Sequence, residues 1–232
     1  MFDWFLIENL LGHINQKKKN NLLKYLHLLQ EENKKYNLTA IVNNDKIFIK
    51  HFFDSILFTK ELEVQTQKIL DIGTGAGFPG LVLKILFPKT KIYLLEANNK
   101  KVVFLNYVIK ELNLKNVFTI CERAEDYSVK HREKFDIIIS RAMAPLNILL
   151  EVGVQALKVS GVFICLKSKN ANNEMASLNN KEQKLELSLL KTQKLNIENL
   201  GERVNLFYKK IASTDKIYPR SYAQIKKKPL GH

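Results

Sequence analysis

One stretch, Asp71-Ile72-Gly73-Thr74-Gly75-Ala76-Gly77-Phe78-Pro79-Gly80, restricts the fold of this chain more than any other. It follows a short apolar run, Ile69 to Ile72, and precedes an apolar segment, Leu81 to Phe87, that reads as helix. Glycines so placed let a strand turn sharply into a helix while the backbone approaches a bound molecule, and Pro79 suits the first turn of that helix. So many glycines weaken a segment unless something needs the space, so the loop is read as one that faces a ligand.

The rest of the pattern agrees with a strand-loop-helix unit of this kind. From Lys68 onward short apolar runs alternate with longer amphipathic ones, which is how βα units and a mainly parallel sheet read in sequence. Strands are expected at Ile69 to Ile72, Lys91 to Leu95, Val117 to Cys121, Phe135 to Ser140 and Val162 to Leu166. Further helices are expected near Lys100 to Leu112, with Phe104, Leu105, Val108 and Leu112 on one face, and near Leu146 to Leu157. A polar helix should follow Ser168, and Gln193 to Leu200 with Val204 to Ile211, parted by Gly201, read as a closing antiparallel hairpin. The expected fold is therefore α/β and Rossmann-like, a mostly parallel seven-stranded sheet with an antiparallel closing hairpin.

Residues 1–62 are expected to form an N-terminal helical cap, because Leu22, Leu26, Leu29 and Tyr36 recur near helical spacing and Asp45 can cap a short helix before His51-Phe52-Phe53-Asp54-Ser55-Ile56-Leu57. Residues 63–214 then make the ligand-binding domain, and 215–232 a basic tail with the run Lys226-Lys227-Lys228.

Two cofactors fit the loop. Gly75, Gly77 and Gly80 satisfy the spacing of the dinucleotide fingerprint, which points to NAD. Asp71 weighs against it, since a pyrophosphate there would face like charge, whereas the positively charged sulfonium end of S-adenosylmethionine (SAM) would be attracted. Glu96, about twenty residues after the loop, can accept ribose hydroxyls from either. After the third strand, a backbone amide near Ala124 and the carboxylate of Glu125 are placed to read an adenine.

Composition enters where the partner is concerned. Lys and Arg number 37 against 23 Asp and Glu, a formal charge of +14, which favours a polyanion. Arg123, Lys167, Arg220 and the lysine run are the cations expected to meet RNA phosphates. Cys121 and Cys165 each sit in an apolar run without a CxxC pair, so they read as core residues of a reducing compartment, with neither a disulfide nor a metal site. The N-terminal stretch has no basic flank or small-residue cleavage site, and no run is long enough to span a membrane, so a cytoplasmic location is expected.

The segment Ile139-Ser140-Arg141-Ala142-Met143-Ala144-Pro145-Leu146 discriminates among chemistries. It lacks the Asn- or Asp-Pro-Pro-aromatic clamp of amino-group methylases, and the Cys-Pro nucleophile of cytosine-C5 methylases. Arg141 offers instead a cationic fork where a buried strand ends. These residues resemble the small-subunit (16S) ribosomal RNA methyltransferase G family, also called glucose-inhibited division protein B. The same resemblance runs through Tyr36-Asn37-Leu38-Thr39-Ala40-Ile41, His51 with Asp54-Ser55, the glycine loop, Lys100-Lys101, Arg123-Ala124-Glu125, Phe135-Asp136, Leu166-Lys167 and Tyr218-Pro219-Arg220. Two positions depart from it: Glu122 where a glycine is common, and Ser168 where a glycine often follows the lysine.

The resemblance implies a class I SAM-dependent methyltransferase acting on N7 of one guanine in 16S rRNA, in a small ribosomal subunit or assembly particle. It also implies cofactor contacts at Gly73, Phe78, Ala124, Glu125 and Arg141. Guanine N7 has an in-plane lone pair and no proton to lose, so alignment, with Arg141 as a positioning group, is expected in place of a catalytic acid or base. His51 is expected to pack or to cap a loop. An NAD enzyme, a non-catalytic RNA-binding module and a methyltransferase of small molecules remain the competing readings.

Overall fold

The computed structural model describes residues 2–231 of the chain. Helix α1 spans Phe5–Leu11, and α2 spans Gln16–Tyr36, capped where the Asn15 side chain accepts the Lys18 N–H and closed by Asn37 in the left-handed region at φ 50°. Leu22, Tyr25, Leu26 and Leu29 form its buried face, while Tyr36 at its end is exposed. Helix α3, Asn44–Ile47, is capped by Asn43 and not by the expected Asp45, which lies inside the helix: the Asn43 side-chain Oδ1 accepts the Lys46 N–H at 3.0 Å. The chain then continues in helical turns, widened over Phe48–Phe53 and tightened over Asp54–Lys60.

The sheet comprises β1 (Lys68–Ile72), β2 (Lys91–Leu95), β3 (Val117–Ile120), β4 (Phe135–Arg141), β5 (Leu157–Ser168), β6 (Leu187–Ile197) and β7 (Gly201–Lys210). Their order is β3-β2-β1-β4-β5-β7-β6, with β1 to β5 parallel and β7 antiparallel to both β5 and β6. The order reverses between β1 and β4, which opens a crevice beyond their C-terminal ends. Helices α4 (Gly80–Leu86), α5 (Asn99–Glu111), α6 (Ala124–Lys130), α7 (Leu146–Gly153), α8 (Ala171–Leu178) and α9 (Tyr222–Lys227) complete the fold.

Central strands are buried on both faces, so neighbouring residues feed different cores. Ile69, Ile137, Ile139 and Ile164 pack with α4 and α5, and the same core takes Ile7, Leu22, Tyr25, Phe48 and Phe52 from the N-terminal helices. Leu70, Ile72, Ile138, Phe163 and Cys165 pack on the opposite face with Leu146, Leu149 and Leu150 of α7 and with Leu230 near the C-terminus. The N-terminal helices therefore share one apolar core with the sheet.

The seven-stranded α/β reading holds, with four local corrections. α7 ends at Gly153, which lies so close to Ile72 and Phe163 that any side chain would clash, and a tighter helical turn carries on to Ala156, near the expected end; β5 starts at Leu157, earlier than expected, because Lys158, Val159 and Ser160 are exposed and break the apolar run. β6 starts at Leu187, earlier than expected, because as an edge strand it exposes Ser188 to Lys191 and hides its period. Ala124 to Lys130, for which no element was expected, is helical. Cys165 is buried, but Cys121 is exposed just past the end of β3.

Candidate active site

The glycine loop leaves β1 at Ile72 and is shaped from below by Asp71. One Asp71 oxygen, Oδ2, accepts the Thr74 hydroxyl at 2.6 Å and the Gly80 N–H at 2.8 Å, tying the loop to the first turn of α4. The other, Oδ1, is buried without a partner, and burial raises the carboxyl to about 7. Asp71 is thus enclosed by protein and braces the loop, which corrects the expectation that it faces a cationic ligand. Gly73, Gly75 and Gly77 all have left-handed φ, of 67°, 61° and 102°, which other residues adopt only under strain.

Above the loop, the Gly75 N–H donates to Glu96 Oε2 at 3.0 Å and the Asn98 N–H donates to Glu96 Oε1 at 2.9 Å. A cavity of about 360 Å³ opens here, lined by Gly73, Leu95, Glu96, Ala124, Glu125, Ala142 and Met143 among others. The structure therefore brings together Gly73, Glu96, Ala124 and Glu125 from three separate βα turns, with Gly75 adjoining through Glu96. Tyr222 of α9, on the same wall, was not anticipated, because nothing local to the C-terminal segment marks it as part of a site.

Phe78 and Arg141 stand apart from that wall. Phe78 is buried in an aromatic group with Tyr25 and Phe52, stacked on His51 at 4.5 Å between ring centres. The Tyr25 hydroxyl donates to the Ala76 carbonyl, so α2 holds the far side of the glycine loop. The Arg141 guanidinium lies 5.0 Å over the Phe78 ring and donates from Nη1 to the Lys50 carbonyl at 2.9 Å and from Nη2 to His51 Nδ1 at 3.1 Å. His51 Nδ1 thus stands 3.1 Å from both Arg141 Nη2 and the Lys50 carbonyl, and Nε2 lies 2.9 Å from Thr39 Oγ1. Burial and the neighbouring Arg141 charge push His51 down to about 3, in agreement with a neutral ring. Asp54 completes the joint, accepting Arg203 Nε at 2.8 Å and facing Arg141 Nη1 at 3.4 Å.

This cationic joint lines a second cavity of about 660 Å³, which includes Lys50, His51, Asp54, Arg141, Lys167, Glu174 and Arg203. Ala142 and Met143 line both cavities. Ala142 is in the left-handed region at φ 52°, which turns the chain out of β4 and sets Met143 against Gly73.

Of Arg123, Lys167 and Arg220, expected with the lysine run to meet phosphates, two are committed elsewhere. Lys167 is buried and donates to the Ala144 carbonyl at 2.6 Å, with Glu174 Oε2 at 2.8 Å. Arg220 grips the fully buried Glu151 through Nε at 2.8 Å and Nη2 at 2.7 Å. Arg123 has an exposed side chain, bonded to Glu125 at 3.1 Å. Among the described residues no cluster of His, Cys, Asp and Glu could hold a metal, and no helix is long and apolar enough to cross a membrane.

Comparison with known proteins fits this geometry. A chain named ribosomal RNA small subunit methyltransferase G from Mycoplasma capricolum is 53% identical over 214 residues, covering 92% of each chain. Its namesake from Mesoplasma florum is 49% identical over 97% of this chain and 95% of its own. Among solved structures, TYW2 of M. jannaschii in complex with AdoMet superposes with a TM-score of 0.54 at 19% identity, over 68% of this chain and 77% of that one, a likeness of fold alone. The family model described as rRNA small subunit methyltransferase G matches residues 18–206, and the chain belongs to that family.

Proposed function

We propose that this chain transfers the methyl group of SAM to N7 of one guanine in 16S rRNA by direct in-line displacement, acting in the cytoplasm on a small ribosomal subunit or its assembly particle. The observation that carries the reading is the meeting of two unlike cavities at Ala142 and Met143. Membership in a methyltransferase family sets aside the NAD and non-catalytic readings.

The first cavity suits a nucleoside. Glu96 holds two oxygens at the end of β2, now accepting backbone N–H groups, that can accept a pair of ribose hydroxyls. Gly73 makes room for Met143 on the cavity wall, and a β-carbon on Gly75 would stand in open space. Bound there, SAM supplies an electrophilic methyl on a positively charged sulfur. Ala124 and Glu125, at the β3 edge, lie where the base falls.

The second cavity suits a nucleotide presented out of its stack. Lys50, Arg141, Lys167 and Arg203 outnumber Asp54 and Glu174 on its wall, giving the positive potential that a phosphate chain seeks. Among the described residues no free base stands at the junction: His51 is spent on Arg141, Asp54 on two arginines and Glu174 on Lys167. A proton acceptor is not required at N7, whose lone pair lies in the ring plane, so the residues act by alignment. Arg141 fixes the cap against the end of β4, and with it the angle at which the base meets the methyl.

The test is transfer of labelled methyl from SAM to small subunits, naked 16S rRNA, bulk tRNA and duplex DNA, with the product mapped by reduction and aniline scission, which cleaves at N7-methylguanine. Label confined to 16S rRNA with one scission site supports the proposal. Equal labelling of tRNA or DNA, or label without scission, overturns it.

A further inference from the structure

The C-terminal segment, read from sequence as a basic tail, forms part of the first cavity. Its path is pinned at three places. Gln155 donates to the carbonyls of Asp215 and Tyr218 at 2.8 Å each, Arg220 grips Glu151, and Ile225 and Leu230 are buried. A capping box between Ser221 and Gln224 then starts α9 with Tyr222 as its first residue. The Tyr222 side chain lines the cavity that holds Gly73, Glu96 and Ala124, and the Arg123 guanidinium lies 4.6 Å over its ring. Arg123 is held in turn by Glu125, so ring, guanidinium and carboxylate form one unit at the β3 edge.

We propose that Tyr222 is a positioning residue for the adenine end of SAM, its ring walling the outer side of the base pocket. The inference rests on the SAM reading above and adds to it a specific place for the C-terminal segment. With the ribose at Glu96 after β2, a ligand whose tail lies toward the glycine loop after β1 carries its base on toward β3. Tyr222 stands at the β3 end, with the Arg123 guanidinium over its ring and Glu125 on the same wall. An aromatic ring against a nucleobase excludes water from it and contributes through stacking or edge contact. The Arg220–Glu151 clamp sets the distance of that ring from the sheet.

Calorimetry on the full-length protein with SAM and with 5′-methylthioadenosine, which keeps adenine and ribose but lacks the amino-acid tail, tests the assignment. Tyr222→Ala should weaken both ligands by the same factor, roughly 5- to 20-fold, the size of a lost base–aromatic contact. Tyr222→Phe should restore both, and the KM for SAM should rise in Tyr222→Ala while kcat at saturating SAM and the KM for RNA stay put. Unchanged affinity for both ligands, or weakening of SAM alone, overturns the inference, the latter by placing Tyr222 at the tail. Failure of the unaltered protein to bind SAM overturns the cofactor reading itself.

Discussion

Gly73 and Met143 are in such close contact that a β-carbon on the glycine would stand 2.4 Å from Met143 Cγ and 2.8 Å from its Cβ. The contact joins the turn after β1 to the turn after β4, across the point where the strand order reverses. It also stands where the two cavities meet.

Gly73→Ala should therefore damage both halves of the site at once. Left-handed backbone and the clash with Met143 together cost about 2 kcal/mol in stability, and the rate of methyl transfer should fall at least tenfold. Met143→Ala in the same chain should recover part of the loss, since it empties the contested space. Melting curves and single-turnover rates of the two single variants and the double variant check this, and strict additivity would sever the two turns.

The joint between His51 and Arg141 makes a prediction about side-chain type. Gln at position 51 can accept from Arg141 and donate to Thr39, so His51→Gln should keep most activity, whereas His51→Ala should lose roughly tenfold or more through a displaced cap. Arg141→Lys should fail as well, because an ammonium cannot hold the Lys50 carbonyl and the ring nitrogen in one fork. With His51 neutral and no base at N7, the pH profile of the single-turnover rate from about pH 6.5 to 8.5 should be the same in the unaltered protein and in His51→Gln. A titration in that window in the unaltered protein, absent in His51→Gln, would make the histidine a base.

Asp71 should leave a mark on stability against pH. Its carboxyl is raised by burial to about 7 from an ordinary value of 3.8, so the unfolded chain ionises first as pH rises. Its contribution is complete below pH 3.8 and is lost as pH climbs through about 7. Asp71→Asn, which can still accept from Thr74 and Gly80, should lack this decline, so the difference in stability between variant and parent should grow from acid to neutral pH. Chemical denaturation at pH 5 and pH 8 measures it, and a constant difference would mean that Asp71 is ionised in the folded protein across the range.

Arg220 offers a way to separate clamp from RNA contact. Arg220→Ala leaves the Glu151 carboxylate buried and unpaired, at a cost of about 3 kcal/mol. Glu151→Leu with Arg220→Met should cost less, since no charge is stranded. In neither variant should the slope of log affinity for 16S rRNA against log salt change, whereas loss of a phosphate contact lowers it by about one. A shallower slope in Arg220→Ala would return the arginine to the RNA surface.

What sequence alone determined lies where the cause is local or periodic. The glycine loop declares itself because left-handed backbone needs glycine at Gly73, Gly75 and Gly77. The buried strands declare themselves by unbroken apolar runs such as Ile137 to Ile139, and Glu96 and Arg141 by ending such runs. The roles of Lys167, Arg220, Tyr25 and Tyr222 were decided only by tertiary structure. A lysine looks the same in sequence whether its ammonium meets water or is held by Glu174, and nothing near Arg220 announces Glu151. Tyr222 reaches the cavity beside Glu96 only because Gln155, Glu151 and the core around Leu230 fold the end of the chain back over the β3 edge. Such pairings join residues on different elements, and their physical cause is the desolvation of charge and apolar surface in the folded state, which imposes no pattern on neighbouring residues.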